Sequence, residues 1–478
     1  MQPWGGKGPQ LLAAGLDFRG ACAPHSVVMS RCALLLLALA ACGPPERPGI
    51  PPRHLVLVTV EGLRADRTSA WMHHRPTTSI PASAEDLAAG RAFGFDDLAA
   101  DGVLFEQAFA PQGEPAEALR AVFAGDRGLA SSSQAPDLAA RLRAEGFETH
   151  AWVHASHPLP EGLLEGFDRT EQLPSDLDVV RAVLPFYKQR DWGDGGRVFL
   201  WVHLSGTTFP FEPGRAVPDF HEMESGGSVR IVDCAALYAQ GPVPEDLEPG
   251  SGAAPDPGAP AGPSTLQRVG ALYDGEVHEL ALHLWTLVGF FAFETKSEAP
   301  LEDAVIALCG TGGIELDRPG LPWGLRGTPW DSGLRVPLFV RHRDSMTGRR
   351  ILAEPVDLAD LAPTLLEWFG CAPLPAGRDG RSLLALTDSY RTRPFERRPA
   401  VARTAAVEAV DLPAAWTART AKERLVLWDD GRAELFDRLR DPREERPLDA
   451  GDPRIHERVE SLRAAVRSAA GAAGGDAP

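Results

Sequence analysis

Reaction chemistry needs polar atoms gathered at one place, so clustered acids, histidines and nucleophiles are the first residues to find. The sequence holds few. Glu61 follows the apolar run His54–Val60 and precedes Gly62, with Arg64 and Asp66 next in "GLRADR". A carboxylate there could hold a hard divalent cation, which oxygen ligands cage. Alone, Glu61 reads as a solvated or arginine-paired carboxylate, and Arg64 with Asp66 as a pair inside the loop that shapes the strand exit. His203 ends a second apolar run, where a hydrogen-bonded core histidine is expected. His73 and His74 lie among Ser, Thr and Pro with no third ligand at metal spacing. His278 and His283 sit about 140° apart round a helix axis and do not converge as i, i+4 ligands would. The stretch "FEQAFAPQGEPAEALRAVFAGDRG" (Phe105–Gly128) has a frame suited to a nucleophile, yet it contains no Ser, Thr, Cys, His or Lys.

The elements that must position these residues are readable. Short apolar runs, "HLVLVTV" (His54–Val60), "ETHAWV" (Glu148–Val153), "VFLWVHL" (Val198–Leu204), "DAVIALCG" (Asp303–Gly310) and "VPLFVR" (Val336–Arg341), read as strands buried on both faces. Helical patterns between them imply crossovers and a mostly parallel sheet. "APDLAARLRAEGFE" stops at Gly146, "YDGEVHELALHLWTLVGFF" from Tyr273 is apolar on most sides, and "VDLADLAPTLLEWFG" closes with Gly370. The Pro/Gly-rich "GPVPEDLEPGSGAAPDPGAPAGPS" (Gly241–Ser264) reads as a flexible surface insertion. After about residue 400, "KERLVLWDDGRAELFDRL" reads as a hairpin turning at Asp430-Gly431. A final helix follows, with Ile455, Val459, Leu462 and Val466 on one face, so a small antiparallel subdomain is expected.

"LVLVTVEGLRADR", "FDDLAADGVLFEQAFAP", "VFLWVHL", "LYDGEVHELALHL", "GLRVPLFVRH", "VDLADLAPTLLEWFG", "GRDGRSLL" and "AELFDRLRDPREERPL" occur in the order of similar phrases in bacterial sulfatases. Over roughly residues 52–450 the chain resembles that family. The resemblance implies an alkaline-phosphatase-like α/β fold: a doubly wound, mostly parallel sheet plus a small C-terminal antiparallel sheet of four strands. Such enzymes need a divalent cation, a nucleophile from Cys/Ser-x-Pro-Ser-Arg and a general acid. Here the nucleophile falls on Pro115, and Pro-Ser-Arg on Glu117, Ala118 and Leu119, with Arg120 one place out of register. The first metal-binding Asp becomes Glu61, followed by Gly62. A later Asp-His pair falls on Gly310 and Thr311, whose "CGTGG" glycines read as filling the space of missing side chains. An Asp-Pro-His-like phrase becomes "SGTTFPF", with Gly206 and Thr208 at the charged positions, and Leu325 stands where a His is typical.

The expectation is therefore a degenerate member: an intact frame around a dismantled hydrolytic centre, with no catalytic residue, no cofactor and Glu61 as a vestigial metal ligand. The alternative is a sulfuric or phosphoric ester hydrolase with a rebuilt site drawn from Glu61, Asp331 and His203, using Ca²⁺ or Mg²⁺. Three or more acids or imidazoles gathered at Glu61 would overturn the expectation of an emptied centre. A third reading, a carbohydrate-binding cleft, points to Trp192, Trp201, Trp323 and Trp330, although Trp201 lies inside a strand.

Bulk properties bound the partners. The 478 residues carry a formal charge of −18, which argues against nucleic acid and against capture of polyanions. From Met29, "MSRCALLLLALAACGPPERPG" has the anatomy of an export signal, and Leu39–Cys42 resembles a bacterial lipobox with Cys42 as the acylated residue. Residues 1–28 then read as an upstream extension, 29–42 as a lipoprotein signal peptide and 43–53 as a linker. The sulfatase-like domain is expected over 54–400 and the C-terminal subdomain over 401–478. Of six cysteines, Cys234, Cys309 and Cys371 lie beyond these segments, and none shows metal spacing. Cys309 reads as a small core residue. A lipid-anchored envelope protein with a protein or glycan partner is the expectation.

Overall fold

The computed structural model describes residues 52–80, 93–100, 102–128, 137–191, 195–208, 211, 213, 216–218, 231–233, 265–289, 304–316, 318, 321, 324–342, 348–351, 353–387, 394–448 and 452–472. The export signal with Cys42, the insertion at 241–264, Cys234, Trp192 and Trp323 lie outside them.

Eight strands form the main sheet: β1 (His54–Val60), β2 (Val103–Phe105), β3 (Phe147–Val153), β4 (Arg169–Gln172), β5 (Arg197–Leu204), β6 (Ala304–Gly310), β7 (Leu338–Arg341) and β8 (Arg349–Ile351). Their order is β8-β2-β7-β6-β1-β5-β3-β4. Within it β7 runs antiparallel to both its neighbours, and the other pairings are parallel. The run expected to start at Val336 becomes a strand only at Leu338. Before it, the Val336 N–H is taken by Ala108 O, and Pro337 has no N–H to give to a ladder.

The continuous apolar character of β1 follows from its place. Val56, Val58 and Val60 enter one core, while Leu55 and Leu57 enter the other, so both faces are covered. The first core takes Val179, Val180 and Val183 of α3 (Asp176–Gln189) and Leu272 and Val277 of α4 (Thr265–Leu284). The second takes Leu119, Val122 and Phe123 of α1 (Pro115–Ala124), Leu138 and Leu142 of α2 (Leu138–Ala144), and Leu361 and Leu365 of α5 (Leu361–Trp368). Each fully buried Val or Leu contributes about 1.5–3 kcal/mol. Cys309 lies in this second core. Helix α4 begins at Thr265 rather than Tyr273, because Val269 and Leu272 extend the apolar stripe upstream. Helix α2 is capped by Asp137, which accepts from Ala140 N, and is followed by Gly146 at φ +87°.

The C-terminal part is an antiparallel sheet of β9 (Ala400–Thr404), β10 (Ala415–Arg419), β11 (Glu423–Trp428) and β12 (Ala433–Asp437). Its first strand starts one residue before the expected boundary. Helix α6 (Pro453–Ala472) buries Ile455, Val459, Leu462 and Val466 against this sheet.

Candidate functional site

The carboxyl ends of β1, β3, β5 and β6 lie on one edge, the side where open α/β sheets place their sites. Glu61, the first residue beyond β1, is 1% exposed. It is neither solvated nor hydrogen-bonded by an arginine, which corrects the expectation. His203 Nε2 lies 3.2 Å from Glu61 Oε1, His157 Nδ1 lies 2.8 Å from Oε2, and the Ser156 hydroxyl also donates to Oε2. Burial would raise the Glu61 carboxyl, but the bonds from His157 and His203, the His203 charge and Ser156 hold it well below the usual range.

The strand ladder fixes His203. Thr59 faces it across β1 and β5, with Thr59 Oγ1 2.7 Å from His203 Nδ1. Trp201 Nε1 donates to the same hydroxyl at 2.9 Å, and these contacts hold the His203 ring with Nε2 toward Glu61. His203 is thus both a buried core histidine and a contact of Glu61. A second carboxylate–imidazole pair stands nearby: His154 Nδ1 lies 2.6 Å from Asp176 Oδ1, and Asp176 also accepts the N–H groups of Ser205 and Gly206. The Asp176 bond raises His154 above its ordinary value against the opposing effect of burial.

Helix α1 begins at Pro115, whose fixed φ and missing N–H suit a first helical turn. Its approach loop touches the exit of β6, since a Cβ on Gly312 would lie 3.2 Å from Gly113 O. Gly310 pairs with Val60, and Thr311 N donates to Val60 O at 2.8 Å. Backbone, not vacant space, occupies the positions aligned with charged ligands. A Cβ on Gly206, at φ +63°, would lie 2.7 Å from Glu61 O, and one on Gly310 would lie 2.8 Å from Leu63 O. Burial lowers the Arg326 guanidinium, opposed by the charges of Glu61 and Glu114, and its Nη1 has no hydrogen-bond partner among the described residues.

The structure does not bring Asp331 into this arrangement. Asp331 is bound by Arg419, Arg424 and Arg438. Arg64 and Asp66 form the expected intra-loop pair, 2.8 Å apart, and Arg64 also donates to Ile314 O. His73 contacts Asp274 at 3.3 Å, beside Arg75. His278 donates toward Thr77 O in the core, and burial pushes it down to about 4. Trp201 is fully buried, while Trp330 lies against Trp428 and under Arg318, so neither is an exposed platform. Sequence reasoning missed Ser156, His157, His154, Asp176 and Arg326. The signal for the first three was "HASH" directly after Val153, at the carboxyl end of an expected strand.

No family model matches the chain. A stretch of 65 residues is 42% identical to steryl-sulfatase of Mus musculus, spanning 13% of this chain and 10% of that protein. Among solved structures, BT4656 in complex with its substrate D-Glucosamine-2-N,6-O-disulfate aligns over 89% of this chain and 98% of its own, with 14% identity and a TM-score of 0.64. The phosphonate monoester hydrolase of Agrobacterium radiobacter aligns over 87% and 95%, with 17% identity and a TM-score of 0.61. BT1596, a 2-O GAG sulfatase, aligns over 87% and 91%, with 14% identity and a TM-score of 0.60. The fold is that of the sulfatases. Its alkaline-phosphatase-like sheet and C-terminal antiparallel subdomain are both present.

A sulfatase-like fold implies a divalent cation, and the donor set tests the fit. A hard cation needs several convergent oxygens. Both oxygens of Glu61, beside the exits of β1 and β6, already accept hydrogen bonds, and the nearby charge of Glu114 acts on Arg326. Three groups do gather here, Glu61, His157 and His203, which corrects the expectation of an emptied centre: the strand exits hold a bonded polar cluster. The two imidazole nitrogens address different oxygens of one carboxylate rather than a common point. Among the described residues no group of three His, Cys, Asp or Glu is set to hold a metal ion. The residues present do not fit the cation.

Proposed function

We propose that this protein is a sulfatase-like pseudoenzyme, a binding or scaffolding module of the bacterial envelope that does not cleave sulfate esters. One observation supports this reading above the others: Glu61 spends both carboxylate oxygens on Ser156, His157 and His203. Pro115, at the aligned nucleophile position, offers no attacking atom. Calorimetric titration with Ca²⁺, Mg²⁺ and Mn²⁺ tests it. Binding weaker than ~1 mM is expected, since one hydrogen-bonded carboxylate is a poor cage. Micromolar binding that disappears in Glu61→Ala would contradict it.

The cluster at Glu61 favours a second reading, a rebuilt hydrolase. Glu61 could orient His157, whose side chain is 37% exposed, as a proton acceptor. That reading requires ester turnover that survives chelation and is lost in His157→Ala.

The partner is an envelope protein or a glycan, and the net charge of −18 disfavours nucleic acid. Cys42 is the proposed lipid attachment point. Metabolic labelling with palmitate should mark the wild type in the membrane fraction, and Cys42→Ser should be unlabelled. Equal labelling of both would remove the anchor from this account.

A further inference from the structure

Away from Glu61, a cleft of ≈ 260 Å³ opens between the loop after β1, the segment after β6 and the turn at 442–445. Most charged side chains that line it are matched. Asp66 is paired with Arg64, Asp331 with Arg419 and Arg424, and Glu444 with Arg424.

Two lining groups of opposite sign are unmatched. Glu315 is 1% exposed, and its Oε1 accepts from the Thr328 hydroxyl at 2.6 Å and from Ser332. Its Oε2 is buried without a hydrogen-bond partner among the described residues. The backbone locks the residue in place, with Glu315 N bonded to Leu325 O and Gly324 N to Glu315 O, each at 2.8 Å. A buried carboxylate oxygen left unsatisfied is costly, and Glu315 is one of the residues that line the cleft. Arg318 is the complement. Its guanidinium lies 3.8 Å over the Trp330 ring and donates to the backbone oxygens of Arg443 and Glu444, at 3.0 and 3.1 Å. No carboxylate lies within ion-pair reach of it among the described residues.

We propose that this cleft binds a small zwitterion, its primary ammonium on Glu315 and its acidic group on Arg318. An ammonium supplies three donors and a full positive charge to the unsatisfied oxygen. The planar guanidinium, held flat on Trp330, suits a carboxylate or similar oxyanion. The volume lies below the range of drug-sized ligand pockets, so the ligand is of amino-acid size. The inference is independent of whether the Glu61 centre is inert.

The test titrates the full chain by calorimetry with glycine, β-alanine, γ-aminobutyrate and 6-aminohexanoate, which vary the separation of the two charges. At least one should bind, and its N-acetyl derivative should bind ~10-fold or more weakly, the usual effect of losing a charged hydrogen bond. Glu315→Gln should weaken the best ligand by a similar factor, and Arg318→Met should weaken it while sparing butylamine. Thermal melts establish that the variants fold; if Glu315→Gln does not, the acetylation comparison on wild type and Arg318→Met decide. The proposal is overturned if no member of the series binds, if acetylation has no effect, or if a folded Glu315→Gln binds as wild type does.

Discussion

Glu61 concentrates the physics of this protein at the scale of one residue. An ionised carboxylate at 1% exposure is stable only if donors replace its lost water, and Ser156, His157 and His203 do so. Glu61→Gln keeps the shape but turns an NH₂ group toward one of these donors. The variant should lose about 1–3 kcal/mol, read as a lower urea midpoint with unchanged slope. An unchanged midpoint would mean that the network adds nothing to stability. The identity of Glu61 as the notable residue was legible in the sequence, because it ends a fully apolar strand. Its partners were not. His157 lies 96 positions away and His203 142 positions away, and only the pairing of β1 with β5 and β3 with β5 brings them together.

Among the elements, the strands were the most legible because burial on both faces leaves no polar alternation. Helix starts were less so: α4 begins eight residues before Tyr273, where the neighbouring sequence is rich in Gly and Pro. The alternative that grouped Asp331 with Glu61 failed for a topological reason. Asp331 belongs to a buried cluster that ties the loop before β7 to the C-terminal sheet, where Arg419 ends β10 and Arg424 lies in β11. Burial lowers Arg419 to about 9, with Arg438 and Arg424 adding to the shift and Asp331 opposing it. Asp331→Asn would leave three guanidiniums facing one another without their shared anion. A loss of about 3–5 kcal/mol is expected, with the C-terminal sheet losing amide-exchange protection first. Equal destabilisation of both sheets would mean that the cluster does not join them.

At the scale of the whole molecule, a sulfatase-like frame surrounds a centre whose polar groups are bonded to one another. Gly206 and Gly310 let loops close over the β1 exit, so placing charged side chains there requires backbone movement as well as substitution. The resemblance legible in the sequence extends to the fold, with both the eight-stranded and four-stranded sheets present. The cleft at Glu315 was not legible, because Arg318 and Glu315 stand out only once their neighbours are paired off. The measurement that tests the central claim most directly is turnover of 4-nitrophenyl sulfate, phosphate and phenylphosphonate by the purified protein, with and without Ca²⁺, Mg²⁺ or Mn²⁺. The account predicts rates indistinguishable from buffer for wild type and Glu61→Ala alike. Metal-stimulated turnover in the wild type that Glu61→Ala abolishes would contradict it.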